Sequence, residues 1–158
     1  MRGWRVILAL AGALAVAGIG IGCGDGSTEV TASADVDKPT YLKKADAVCN
    51  QANARTERGW EDFVKSKGGD PTEAFEGKAA ENEFATTVVL PQKQWQVDEM
   101  RKLTAPEADR EDVEAILDAY QEGIDIGEAD PDKVTSVQGV FKYAATTAEK
   151  FGLRECRW

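Results

Sequence analysis

Apolar residues recur three and four positions apart along most of the sequence after residue 38, and this spacing forms one buried face of an α-helix. The pattern falls into four segments, from residue 41 to a break at 67–71, from about 72 to a break at 104–106, from about 107 to 127, and from about 131 to 151. Four amphipathic helices with short connections predict an all-α fold, an antiparallel up-down-up-down four-helix bundle. The β-branched residues at 86–90 leave a short strand there as the alternative.

Individual residues mark where these helices begin, bend and end. Thr40 follows Pro39 and carries a side chain suited to capping the first helix. Pro91 lies inside the second segment. Because proline lacks a backbone N–H and clashes with the preceding turn, we expect a kink or break near Val89. Gly152 is a natural end for the fourth helix.

The first 22 residues have the layout of a secretory signal peptide. Arg2 and Arg5 form a basic start, and residues 6–21 are an uncharged, mostly apolar run that ends in small residues. A spanning helix needs roughly 20 apolar residues, so this run is short for a membrane anchor. Cleavage by the ordinary secretory route and an uncleaved anchor remain the alternatives to the interpretation that follows.

The end of this run, Gly20-Ile21-Gly22-Cys23, resembles the lipobox of bacterial lipoproteins. In that family an aliphatic residue and two small or moderately sized residues precede an invariant cysteine. The resemblance implies that Cys23 receives a diacylglycerol and that a dedicated peptidase cuts just before it. Gly20 departs from the family pattern, which most often has leucine at that place. Two or more acyl chains are enough to hold a protein firmly on a membrane.

Lipidation at Cys23 divides the chain into a signal peptide at 1–22, a flexible linker at 23–37 and a bundle domain at 38–158. The linker is small and polar, a composition that does not bury enough apolar surface to fold, although a short strand at 29–31 is an alternative. The interpretation places the protein on the outer face of the cytoplasmic membrane. Its partners would be the membrane, through the lipid anchor, and an unknown envelope protein or small ligand. The net charge of −9 argues against nucleic acid.

The remaining two cysteines, Cys49 and Cys156, are predicted to form a disulfide. Secretion would place them in an oxidising compartment, where disulfides persist. In an up-down-up-down bundle the start of the first helix and the end of the fourth lie at the same end, and these are the regions that carry the two cysteines. Free thiols or intermolecular bonds are the alternative.

Both ends of the domain also resemble a group of small secreted or lipid-anchored proteins of high-GC Gram-positive bacteria. The segment that ends Ala45-Asp46-Ala47-Val48-Cys49 matches their A-x-x-x-C helix. The segment from Phe151 to Cys156 matches their aromatic-Gly-Leu-x-x-Cys tail. The resemblance implies location, a helical fold and the disulfide. It implies no mechanism, because the group has no assigned biochemical activity.

Few residues suggest chemistry. The chain contains no histidine, which removes the side chain most often used in acid–base catalysis, and it carries no recognisable cofactor or metal motif. Trp60 and Trp95 are candidates to line a ligand pocket, with a place in the core as the alternative, and Trp158 is expected to pack over the bundle end. The sequence therefore predicts a non-catalytic binding or interaction module. The alternatives are a small-ligand carrier and a carboxylate-dependent cell-wall enzyme.

Overall fold

The computed structural model describes residues 36–70, 77–134 and 139–156, and every regular element within them is helical. The helices are α1 (Lys38–Ser66), α2 (Lys78–Phe84), α3 (Leu90–Arg101), α4 (Arg110–Ala129) and α5 (Lys142–Phe151). A π-helical stretch (Ala85–Val89) joins α2 to α3, and 3-10 turns (Glu107–Asp109 and Pro131–Lys133) precede α4 and follow it. The all-α prediction is confirmed. The predictions for the signal peptide, Cys23, most of the linker and Trp158 lie outside the described residues.

The first helix begins earlier than the sequence predicted. Asp37, and not Thr40, is the N-cap, because its carboxylate accepts the backbone N–H of Thr40 at 2.7 Å and Pro39 occupies the first turn. Hydrogen bonding by the side chain of Thr40, together with this backbone bond, lowers the pKa of the Asp37 carboxyl below its usual value. Val36, just before the cap, packs against the core, so the ordered domain includes residues that the sequence had assigned to the linker.

The break predicted near Val89 is a π-helical stretch and not a strand. It covers Ala85–Val89 and ends directly before Leu90 and Pro91. A π turn inserts an extra residue into the helix. This insertion rearranges the backbone hydrogen bonds next to Pro91, which has no N–H to donate. The hydroxyl groups of Thr86 and Thr87 donate to the carbonyl oxygens of Asn82 and Glu83 at 2.9 and 2.6 Å. These β-branched residues therefore form hydrogen bonds within a π-helical stretch and do not form a strand.

The fourth predicted helix is shorter than expected. The sequence predicted one helix from about 131 to 151, but the described residues of this range form a 3-10 turn at Pro131–Lys133 and an α-helix at Lys142–Phe151. Gly139 and the β-branched Val140, which are poor helix formers, precede α5. The N–H of Val140 donates to the carbonyl of Lys133 at 3.3 Å and so links the residues before α5 to the 3-10 turn.

The end of α5 is confirmed at Gly152. Its φ angle is 118°, a left-handed conformation that glycine adopts without strain. The N–H of Leu153 returns to the carbonyl of Ala148 at 2.9 Å, as in a Schellman-type helix end. Leu153 is consequently turned into the core, where it is almost completely buried.

The helices form a bundle in which α1 packs on α3, α3 on α4, and α4 on α5. Gly123 permits the last of these contacts, since a Cβ atom there would lie 2.8 Å from the ring of Phe141. The largest buried side chains of the core come mainly from α1, α3 and α4, whereas α5 contributes two buried alanines. They include Tyr41, Val97, Met100, Ile116, Tyr120 and Ile124. Apolar contact among them is the main force that holds the bundle together.

The residues after α5 are held against α1 by a disulfide and by hydrogen bonds. Cys49 and Cys156 form a disulfide with Cα atoms 4.9 Å apart, as the sequence predicted. The carboxylate of Asp46 accepts the N–H groups of Arg154 and Glu155 at 2.8 and 3.0 Å. About two turns further along α1, the amide of Asn53 donates to the carbonyl of Glu155 at 2.9 Å. The segment 153–156 therefore runs along α1 under covalent and polar restraint.

Replacing Asp46 by alanine tests this restraint. We expect the amide hydrogens of Arg154 and Glu155 to exchange faster and the free energy of unfolding to fall by about 1 kcal/mol, because two charge-assisted hydrogen bonds are lost. Asp46→Asn is the matched control, since an amide oxygen still accepts one donor. Hydrogen exchange followed by NMR measures the effect. Unchanged exchange in Asp46→Ala would show that the disulfide alone holds this segment.

Candidate functional site

The core contains a polar strip on α3. Lys93 and Gln96 are 3% and 0% exposed, and they are the buried polar or charged side chains among the residues that the structure describes. Lys93 Nζ donates to Gln96 Oε1 at 3.2 Å and lies 5.7 Å from the ring centre of Tyr120 and 5.9 Å from that of Phe141. Burial lowers the pKa of Lys93 to about 8 because the charged form loses its hydration.

This strip continues to the disulfide. The amide nitrogen of Gln96 lies 3.4 Å from Cys49 Sγ, and the hydroxyl of Tyr120 donates to the backbone carbonyl of Cys156. Burial raises the pKa of Tyr120, and a hydrogen bond with Gln96 opposes part of that increase. Hydrogen bonds therefore connect Lys93, through Gln96, to the disulfide. A buried network of this kind favours a single packing arrangement of the helices around it.

A groove opens on one flank of α1. The groove has a volume of about 390 Å³ and is lined by Asn53, Thr56, Glu57, Trp60, Phe84 and Lys93. The rings of Trp60 and Phe84 meet edge to face with centres 5.2 Å apart. Both aromatic residues are half-buried and Glu57 is exposed, so the groove combines two aromatic rings with an acidic side chain.

Trp95 lies beside a different depression. The guanidinium of Arg55 stacks over its ring at 4.3 Å, a cation–π contact. Arg55 lines a second, polar depression of about 560 Å³ together with Gln51, Arg58, Gly59, Asp62 and Gln92. None of these residues lines the groove of Trp60. The structure therefore does not bring Trp60 and Trp95 together in one pocket.

Lys93 is the site residue that sequence reasoning missed. It stands in the apolar stripe of α3, three residues after Leu90 and four before Val97, and that spacing was the available signal. A lysine in such a stripe is ordinarily interpreted as a residue at the edge of the buried face, because lysine is rarely buried. Here it is buried, and its side chain lines the same groove as Trp60.

Other kinds of site are not found in the part of the chain that the structure describes. Within residues 36–70, 77–134 and 139–156, no group of three or more histidine, cysteine, aspartate or glutamate side chains could hold a metal ion. No acidic side chain in the same ranges is buried. Among the helices described, none is both long and apolar enough to cross a membrane.

The groove is thus the strongest candidate site, and comparison with known proteins adds no assignment to it. No protein-family model, no curated protein and no solved structure matches this chain.

Proposed function

We propose that this protein is a non-catalytic binding module, held by lipid at Cys23 on the outer face of the cytoplasmic membrane. The anchor is supported by the apolar run and by the lipobox-like residues 20–23. The disulfide between Cys49 and Cys156 is compatible with an oxidising compartment outside the cytoplasm. The observation that supports binding is the groove, because Trp60 and Phe84 leave parts of two aromatic rings exposed in one depression.

We further propose that the bundle has the antiparallel up-down-up-down arrangement. Three observations support it: consecutive elements pack as neighbours from α1 to α3, α4 and α5, the connection between α3 and α4 is short, and the disulfide joins the first half of α1 to the segment after α5. In this arrangement the continuous unit from α2 through α3 is the second of the four helices.

A small-ligand carrier is the second candidate function. The same groove supports it, because Trp60 and Phe84 would offer stacking surface to a small planar molecule. We favour the interaction module because the groove is an open depression and not an enclosed cavity, whereas ligand pockets usually bury most of a small molecule. The third hypothesis, an enzyme with a pair of acids, would need two inward-facing carboxylates with separated pKa values, and no described feature supports it.

Metabolic labelling tests the anchor. We expect a clickable palmitate analogue to label the wild-type protein and to be lost in Cys23→Ala, because the acyl chains depend on that sulfur. Cell fractionation should then find the variant released from the membrane. Cys49→Ala is the matched control, since its sulfur is buried in the disulfide and should take no lipid. Label that persists in Cys23→Ala would contradict the proposal.

Site-specific crosslinking in intact cells tests the binding function. A photo-crosslinking phenylalanine analogue placed at Glu57, on the rim of the groove, should capture an envelope protein. The same analogue at Tyr143, an aromatic residue of α5 that is 72% exposed, is the control and should give no such adduct. Equal capture from both positions, or no adduct at Glu57 with a small molecule co-purifying instead, would overturn the interaction module.

A further inference from the structure

We propose that a second site on α1 binds the phosphate ester of a polyol, such as glycerol phosphate. The site is the polar depression beside Trp95. The inference comes from the groups that this depression brings together, two guanidinium groups, a carboxylate and an amide, which belong to Arg55, Arg58, Asp62 and Gln92. It goes beyond the proposed function, because none of these residues lines the aromatic groove on the other flank of the helix.

The two arginines carry charges that no carboxylate of the described residues neutralises. Arg55 and Arg58 are three positions apart on α1, and both are exposed. Within the described ranges, neither guanidinium lies within 4.0 Å of a carboxylate. Arg55 lies over the ring of Trp95 at 4.3 Å, which leaves the N–H donors at the edge of its guanidinium for another partner. Like charges at this spacing repel each other, and an anion between them would remove the repulsion.

A phosphate group fits this pair of arginines better than a carboxylate does. Each guanidinium presents a planar fork of donors, and a phosphate monoester has three acceptor oxygens and a charge of about −1.5 to −2 at neutral pH. The phosphate can therefore accept from Arg55 and Arg58 at once, whereas one fork is enough for both oxygens of a carboxylate. The protein has a net charge of −9, so this local pair, and not the overall field, must attract the anion.

Asp62 distinguishes an ester from free phosphate. Its carboxylate is exposed and lines the same depression as the two arginines. It repels the oxygens of a bare phosphate, but it accepts a hydrogen bond from a hydroxyl group. The depression has a volume of about 560 Å³, which is much larger than a phosphate ion and leaves room for a short carbon chain that carries hydroxyl groups.

Gln92 is a second acceptor that lacks a donor. Its side chain is half-buried, and its amide oxygen is buried without a hydrogen-bond partner among the described residues. A buried acceptor without a donor costs free energy, and such atoms usually have a partner in native structures. Because Gln92 lines the depression, a small rotation of its side chain presents this oxygen to a hydroxyl group of a bound ester. The depression therefore combines donors for a phosphate with acceptors for hydroxyl groups.

Isothermal titration calorimetry of the full chain, kept in micelles of a non-ionic detergent, tests this chemistry. We expect glycerol phosphate to bind about five-fold more tightly than inorganic phosphate. Arg58→Met should weaken the binding of glycerol phosphate about ten-fold, and Arg58→Lys should recover only part of it, because an ammonium lacks the planar fork. Arg110→Met, a change at an exposed arginine beside another depression, is the matched control and should leave the affinity unchanged.

Asp62→Asn provides a second variant with a different readout. Removing this negative charge should strengthen the binding of inorganic phosphate and so reduce the preference for glycerol phosphate. Equal affinity for the two ligands in the wild type, or an affinity for glycerol phosphate that Arg58→Met does not change, would overturn the proposal. The crosslinking experiment at Glu57 concerns the other groove, so its failure would refute the proposed function and leave this site unaffected.

Phospholipid in the micelles separates two sources of this ligand, a soluble polyol phosphate and a lipid headgroup. Phosphatidylglycerol carries glycerol phosphate as its headgroup, and phosphatidylcholine is the comparison. If the headgroup is the natural ligand, phosphatidylglycerol should compete and weaken the apparent affinity for glycerol phosphate. If the soluble ester is the ligand, the affinity should be the same in both kinds of micelle. Both results support the site, whereas no binding of glycerol phosphate in plain detergent micelles would overturn it.

Discussion

Replacing Cys49 and Cys156 together by alanine is expected to lower the free energy of unfolding by about 4–5 kcal/mol, the largest effect that we predict for any change in this domain. The two cysteines are 107 positions apart, so the bond closes nearly the whole domain into one loop. In the chain-entropy model, a bond across a long loop removes many conformations from the unfolded chain. A loss of this size is comparable to the total stability of many domains.

Denaturant titration of the purified domain, with and without a reducing agent, measures this effect. Reduction of the wild-type protein should give nearly the same loss as the double alanine variant, and it should have little effect on that variant. The comparison separates the contribution of the cross-link to stability from that of side-chain packing. Alanine at position 49 removes both the bond and the contact of Cys49 with Met100 Sδ at 3.8 Å, whereas reduction removes only the bond. A double variant within about 1 kcal/mol of the wild type would show that Asp46 and the core hold the tail without the bond.

The second large effect is a rise in stability with pH that depends on Lys93. Its pKa is 10.5 when unperturbed and about 8 in the folded protein. Between these values the unfolded chain binds more protons than the folded one, so the free energy of unfolding increases as the pH rises. We expect a gain of about 2 kcal/mol between about pH 7.5 and 9.5, because each unit of difference in pKa corresponds to about 1.4 kcal/mol.

Lys93→Met supplies the comparison, because methionine is similar in size and does not titrate. Urea titrations at a series of pH values should give a rising free energy of unfolding for the wild type and a flat one for this variant. The range must stop below about pH 10, where two buried tyrosines act in the opposite direction. Burial raises the pKa of Tyr41 to about 12 and also raises that of Tyr120, so stability falls as the unfolded tyrosines ionise. Equal slopes in both proteins would mean that Lys93 keeps its ordinary pKa.

The helices were predictable because apolar residues at intervals of three and four specify which face of a helix is buried. The disulfide was predicted from the expected order of the helices, and Cys49 and Cys156 are bonded in the structure. The effect of Pro91 was predictable because a missing N–H disturbs the turn immediately before it. The sequence did not predict the form of that disturbance, a π-helical stretch in which the hydroxyls of Thr86 and Thr87 satisfy nearby carbonyls.

The candidate site was harder to predict because it depends on contacts between helices. Trp60 was identified as a pocket residue and lines the groove, but Trp95 lies beside Arg55 in another depression. Helical spacing within each segment does not specify which flank of α1 a residue of α3 will meet. Lys93 was missed because its burial depends on Tyr120 and Phe141, which approach it from later parts of the chain. Periodicity therefore predicts which face of one helix is buried better than it predicts which residues of two helices line the same groove.

The length of α1 has a consequence for where the groove lies. The helix runs without interruption from Lys38 to Ser66, and about 22 residues separate its first residue from Trp60. At about 1.5 Å per residue, Trp60 stands roughly 30 Å along the helix from Lys38. The groove therefore lies near the C-terminal end of α1, and a substitution in the first turn of the helix can change its cap without touching the groove.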